Sequence, residues 1–375
     1  MRRLVLGLLV VLAIVYGGVG WYASGEIIDG LSTEPWEIDY DVDILTIEDA
    51  TVTIEVPDND VAVWDEDATM GLRWEDGFGV VGPSQGTEGL RQTRAIDILD
   101  GSAPAAGTDV AYLDPLVFTG DPGVLDIDFE TVSYPGPLGE LDAWYIPGTD
   151  ERWIIAVHGL AAQQQDMLRF VQAMDDFDHP TLVVTYRNDA GAPADGGIGK
   201  MGQTEWEDVQ AAVQYARAQG ATSIVLSGLS MGGATILSYL VNAEDLTGIE
   251  GAILEAPAAD LGEVVSRRSG EAIPIGGPIG DSLVATGKLI TELRAGIDFD
   301  VVDYVARADE LPVPLLVLHG TEDPVVPFPI GEALAEARPD LIEFHAIPDA
   351  AHTRAWNEDR QAYCDIIESW LADLG

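Results

Sequence analysis

The sequence is poor in positive charge, in sulfur and in long apolar runs. Only 18 of its 375 residues are Lys or Arg, against 65 Asp or Glu, which leaves a formal net charge of −47. Lys200 and Lys288 are the only lysines. A chain this acidic has no basic footprint for neutralising phosphates, which excludes nucleic-acid partners. Anionic lipid headgroups are excluded as partners on the same ground. The acids are scattered and do not follow the ligand spacing of a calcium loop, so no metal is expected. They read as a solvated, halophile-like surface, on which salt screens the self-repulsion. A cation-binding surface is the alternative.

Cys364 is the single cysteine, so no intramolecular disulfide can form and the count is silent on redox compartment. It falls in a helical-looking C-terminal stretch and reads as a small core residue. Only one apolar run is long. Leu4 to Tyr22 is nineteen residues without a charge, preceded by Arg2 and Arg3. About 20 helical residues cross a ~30 Å hydrocarbon core, and the two arginines orient such a helix with its N-terminus inside. Gly17, Gly18 and Gly20 weaken the far end, and Ala23-Ser24-Gly25 offers a small-residue cleavage site. Residues 1–23 are therefore expected to form an uncleaved signal anchor held in the membrane through residues 4–22. The alternative is a cleaved signal and secretion. Both place the rest of the chain outside the cytoplasm.

Residues 24–135 carry dense acid and short alternating stretches, Thr51-Val52-Thr53-Ile54-Glu55-Val56 and Val61-Ala62-Val63-Trp64, punctuated by Gly, Pro and Asp. Helical periodicity is missing, and a β-rich segment is expected. From 136 to 375 strands and helices alternate. Strands are predicted at Asp142–Ile146, Trp153–Val157, Thr181–Tyr186, Ser223–Leu226, Gly251–Leu254, Pro314–Leu318 and Ile342–Ile347. Helices are predicted at Gln163–Met174, Glu205–Gln219, Ala234–Asn242, Ile330–Ala337 and Trp356–Leu374. Continuous apolar strands between helices predict a doubly wound α/β domain with a mostly parallel, two-sided sheet. Residues 258–309 break the rhythm and are too long for a connection, so a lid or cap is expected there.

The chemistry gathers at Gly228-Leu229-Ser230-Met231-Gly232-Gly233, with a predicted strand before it and a helix after it. A sharp strand-to-helix turn needs small neighbours, and it would push the Ser230 hydroxyl out at the carboxyl end of the sheet. The run lacks the Lys-Ser/Thr ending of a phosphate loop. A serine hydroxyl needs a base, and there are five histidines. His352 follows the last strand in a loop. His345 lies inside that strand and should face a packed layer, while His319 ends the preceding strand and should shape its turn. Asp323, in Asp323-Pro324-Val325-Val326-Pro327 after a predicted strand, is placed to orient His352; Glu322 and Asp349 are rivals. An oxyanion needs two backbone donors. Met231 supplies one, and Leu160, in His158-Gly159-Leu160-Ala161, is the candidate for the other. His158 would then be structural. Arg187 and Asn188, at a strand end, are candidates for substrate contact or for tying down their loop.

Together these motifs resemble the α/β-hydrolase superfamily, in particular its serine aminopeptidase/lysophospholipase-like branch, over residues 140–375. Ala351 departs from the glycine common before the late histidine. The run Thr185 to Pro193, with Thr204-Glu205-Trp206, resembles a bacterial, membrane-anchored subgroup. The resemblance implies a mostly parallel sheet with helices on both faces and a small lid, preceded by the β-rich segment and one transmembrane helix. It implies serine hydrolase chemistry on a small-molecule acyl substrate with Ser230, Asp323 and His352 and without cofactor. Carboxylesterase or lipase-like activity is expected first and peptidase second. The alternatives are acyl transfer by the same triad, and a membrane-tethered, non-catalytic binding protein, which would be expected to show a broken triad.

Overall fold

A computed structural model describes residues 2–374 apart from 36–37, 58–67, 108 and 273–276, and for residues 2–15, 176 and 270–272 it describes the backbone alone. The chain opens with α1 (Arg2–Asp29). This helix continues six residues past the expected anchor. Most of residues 4–22 have no described side chains, so the expected anchor falls largely outside the described residues. Among the described residues no helix is long and apolar enough to cross a membrane.

The second half of α1 packs in parallel on α6 (Gly277–Ala295), a helix of the 258–309 insertion. The Tyr16 hydroxyl is bonded to Ser282 Oγ at 2.8 Å. Arg294 donates to Trp21 O and Ser24 Oγ, each at 3.1 Å, with its guanidinium 4.2 Å from the Trp21 ring centre. A Cβ on Gly20 would stand 2.7 Å from Thr286 Cγ2. Gly20 therefore serves close helix approach here.

Six strands form a closed barrel: β1 (Val42–Glu48), β2 (Thr51–Glu55), β3 (Met70–Trp74), β4 (Gly77–Glu88), β5 (Arg91–Gly101) and β6 (Val110–Asp114), in the order β1-β2-β5-β4-β3-β6. Alternation puts Val42, Ile44, Val52, Ile54, Met70, Leu72 and Leu113 inside. Closure removes the exposed edges that an open sheet of these strands would present. The predicted stretch Val61–Trp64 lies outside the described residues.

The remaining strands make one eight-stranded sheet. They are β7 (Glu130–Pro135), β8 (Glu140–Ile146), β9 (Arg152–Val157), β10 (Thr181–Val184), β11 (Ser223–Leu229), β12 (Ile249–Glu255), β13 (Leu315–Gly320) and β14 (Ile342–Ile347). Their order is β14-β13-β12-β11-β9-β10-β8-β7. The six strands from β10 to β14 on that side are parallel, β8 runs antiparallel to β10, and β7 runs antiparallel to β8. By sequence, residues 130–135 fall in the N-terminal segment, but β7 pairs with β8 and belongs to the larger sheet. Helices α2 (Leu168–Met174), α3 (Trp206–Ala218), α4 (Met231–Asn242), α7 (Phe328–Ala337), α8 (Ala355–Glu358) and α9 (Arg360–Asp373) cover the sheet, and α5 (Leu261–Ala272) precedes α6 in the insertion. Two apolar layers lie on its opposite faces, one around Val157, Leu226 and Leu254, the other around Ile154, Val225 and Trp370.

β9 lies beside β11, yet the chain leaves β9 toward β10 on one side and leaves β11 toward β12 on the other. Their carboxyl-end loops therefore diverge and leave a crevice, the usual place for a ligand in an open α/β sheet.

Candidate active site

Ser230 stands at that crevice. It links β11 to α4 with φ 53° and ψ −114°, a conformation that costs a non-glycine residue of order 1–3 kcal/mol. The surroundings enforce it. Ser230 N–H donates to Glu255 O at 2.9 Å, and Ser230 O accepts from Ala258 N–H at 3.1 Å. A Cβ on Gly228 would stand 2.7 Å from the Gly232 carbonyl carbon, and one on Gly233 would stand 2.9 Å from Pro257 Cβ. The expected need for small neighbours is met by these contacts.

The loop after β9 lies beside this turn. A Cβ on Gly159 would lie 3.3 Å from Ser230 Cβ, so this loop rests against Ser230. Gly159 O accepts from the Tyr186 hydroxyl at 2.6 Å and contacts His158 Nδ1 at 3.0 Å. In a planar trans peptide the N–H points opposite the carbonyl. Pinning Gly159 O inward therefore turns the Leu160 N–H away from Tyr186. Met231 opens α4, where the first backbone N–H groups have no partner in the helix. Sequence reasoning missed Tyr186, because nothing local shows that its hydroxyl reaches a loop 27 residues earlier.

His158 is structural in this arrangement. Its Nε2 lies 2.9 Å from Asp189 Oδ2, and both ring nitrogens face acceptors. Burial alone would lower its pKa, but the Asp189 carboxylate raises it above the ordinary value. Nearby Asp166 shows the reverse balance: burial pushes its carboxyl up to about 6, against the pull of His158 and the Gln163 N–H. A carboxyl raised in the folded state favours folding below its unfolded value of ~3.9. That contribution is lost as pH rises through about 6. Asp166→Asn stays neutral, so it is expected to be more stable than the parent by about 2–3 kcal/mol near pH 8 and to match it near pH 4. Thermal unfolding at the two pH values checks this.

Asp323 and His352 complete the cluster. Asp323 follows β13, and its Oδ1 accepts from the Val325 and Val326 N–H groups at 2.8 and 2.9 Å. Its Oδ2 stands 2.7 Å from His352 Nδ1 and 3.4 Å from His319 Nε2. Burial would raise this carboxyl, but hydrogen bonds from His319 and His352 outweigh it and hold Asp323 well below the usual carboxylate range. Asp323 thus stays ionised and can only accept, so His352 Nδ1 is the donor in this contact. The rivals Glu322 and Asp349 are both exposed. His319 is buried and bonds Val326 O at 2.9 Å, shaping the turn as expected. His345 does not face a packed layer: β14 is an edge strand, and His345 pairs with Glu343 at 2.8 Å on its open face.

Arg187 and Asn188 are bound up in their own loop. Buried Arg187 meets Asp208 at 2.7 Å and Glu207 at 3.1 Å, and Asn188 Oδ1 accepts from Asp195 and Gly197 N–H groups. The proposed substrate contact gives way to the structural role that sequence had left open. Among the described residues no group of His, Cys, Asp and Glu is placed to hold a metal ion.

Glu255 is a further residue the sequence did not reveal. Its backbone carbonyl holds Ser230, and its carboxylate accepts from Ala355 N–H at 2.9 Å, three residues past His352. One buried residue at the end of β12 thereby ties the nucleophile turn to the histidine loop. Burial pushes its carboxyl above the ordinary value.

The model of the prolyl oligopeptidase family matches residues 194–374, a span that contains Ser230, Asp323 and His352. The Escherichia coli K12 protein YfhR, described as uncharacterized, is 25% identical over 276 residues, 70% of this chain and 84% of its own. Its Salmonella typhi counterpart is 22% identical over 276 residues, 67% of this chain and 85% of its own. The Pyrococcus furiosus esterase Pf2001 superposes with a TM-score of 0.54 at 16% identity, covering 69% of this chain and 97% of the esterase. The fold is that of the α/β-hydrolases. Membrane anchoring is not part of what these matches show.

Proposed function

We propose that this serine hydrolase cleaves carboxylic esters through an acyl-enzyme on Ser230. The observation that carries the reading is the Asp323–His352 contact of 2.7 Å, set at the same sheet edge as Ser230 and the Gly159–Leu160 loop. His352 Nε2 takes the Ser230 proton as Oγ attacks the carbonyl carbon. The tetrahedral oxyanion is held by the Leu160 and Met231 N–H groups. The C–O bond to the leaving alcohol breaks as His352 returns the proton to it. A water, deprotonated by His352, then releases the acid and restores Ser230.

Peptide cleavage is the second reading, favoured by the family match over residues 194–374. A panel of nitrophenyl esters of rising acyl length, run beside peptide nitroanilides, separates the two. The ester reading expects turnover of short esters well above that of any anilide; the reverse order overturns it. Running the panel at about 0.1 M and about 3 M salt also tests the halophile proposal, because screening relieves self-repulsion. Attachment to the membrane outside the cytoplasm remains a proposal supported by Arg2, Arg3 and the uncharged run Leu4–Tyr22. Release of the full chain from membranes by alkaline carbonate would overturn it.

A further inference from the structure

The histidine loop is held from three sides, and one of them is the barrel. From the sheet, Glu255 Oε1 accepts from Ala355 N–H at 2.9 Å. From α2, buried Arg169 donates to Thr353 O at 2.6 Å and also to Asn357 Oδ1. From the barrel, Thr69 O and Pro115 O accept from Asn357 Nδ2 at 2.7 and 2.8 Å, and Thr69 N–H donates to Asn357 O at 2.9 Å. Thr69 leads directly into β3 and Pro115 directly follows β6, and these two strands are paired. Phe118, just beyond, packs edge-on against Trp356 with ring centres 5.6 Å apart.

Asn357 is 1% exposed. Both its amide donor hydrogens and its carbonyl oxygen are therefore engaged across a dry junction, where an unmet polar group is costly. Thr353, directly after His352, sits at φ 53°, a strained value for a β-branched residue. Strained backbone persists only where its surroundings fix it. The contacts that fix this one run through Arg169 and Asn357.

We propose that Asn357 is a positioning residue through which the β-barrel sets the placement of His352, making the barrel part of the catalytic apparatus. This rests on the serine hydrolase reading, which ester turnover and Ser230 labelling of the parent protein test separately. Asn357→Asp keeps an oxygen for Arg169 but turns its other oxygen toward the Thr69 and Pro115 carbonyls, breaking the side-chain bonds to the barrel and leaving the Thr69 N–H to Asn357 O bond in place. It is expected to lower kcat about 10- to 100-fold, the scale for small misplacement of a catalytic group. KM should stay within about twofold, because Asn357 touches no substrate. The downfield proton resonance of the His352–Asp323 hydrogen bond should shift or broaden. Thr69→Pro removes one donor from the barrel side without altering the histidine loop, and should lower kcat in the same direction. It decides the matter if Asn357→Asp does not fold. Folded variants with parental kcat and an unmoved resonance, whatever their melting temperature, overturn the proposal and leave Asn357 as a domain fastener.

Discussion

Ser230→Ala is expected to lower kcat on a short-chain ester by about 10^5- to 10^6-fold while leaving the fold intact. Loss of Oγ removes the atom that forms the acyl-enzyme, and neither His352 nor Asp323 can substitute for it. The residual rate should still exceed the uncatalysed one by about 10^3- to 10^4-fold, because the Leu160 and Met231 donors remain. The turn itself should survive. Its φ of 53° is imposed by the Glu255 and Ala258 backbone contacts, which alanine retains, so stability should change by less than about 1 kcal/mol. Steady-state rates with a melting curve as control check both parts. A fall of less than about 100-fold would mean that Ser230 is not the nucleophile.

Gly232→Ala should have the second-largest effect without touching a reacting group. Its new Cβ would stand 2.2 Å from Val157 O and 2.5 Å from His158 O. Both atoms are backbone at the end of β9, where no side chain can swing aside. Relief requires moving the start of α4 away from that strand, and thus the Met231 donor away from the Leu160 donor. Loss of one well-placed oxyanion donor costs about 10^2- to 10^3-fold in kcat, and overpacking costs about 1–3 kcal/mol of stability. Parental kcat in this variant would show that the two donors need not be held together.

How much of this was legible in sequence follows from the range of the contacts involved. The nucleophile turn is local: a strand, small residues and a helix within twenty positions, and the structure places all three as expected. Asp323 and His352 were legible because residues after successive parallel strands share one sheet edge. What escaped depends on contacts between distant parts of the chain. Glu255 reaches Ala355 one hundred residues away, and Asn357 reaches Thr69 and Pro115 in another domain. Barrel closure needs β1 to meet β6, a pairing no local pattern encodes. β7 alternates in either domain, so only its partner β8 shows which sheet it joins. His345 was misplaced because β14 ends the sheet and is only partly covered there, and strand order is not written in periodicity.

The most direct test of the account is covalent labelling with a fluorophosphonate, followed by peptide mass analysis. A single adduct on Ser230 is predicted, formed much more slowly in His352→Ala and absent in Ser230→Ala. Ester hydrolysis that persists with Ser230 unlabelled would contradict it.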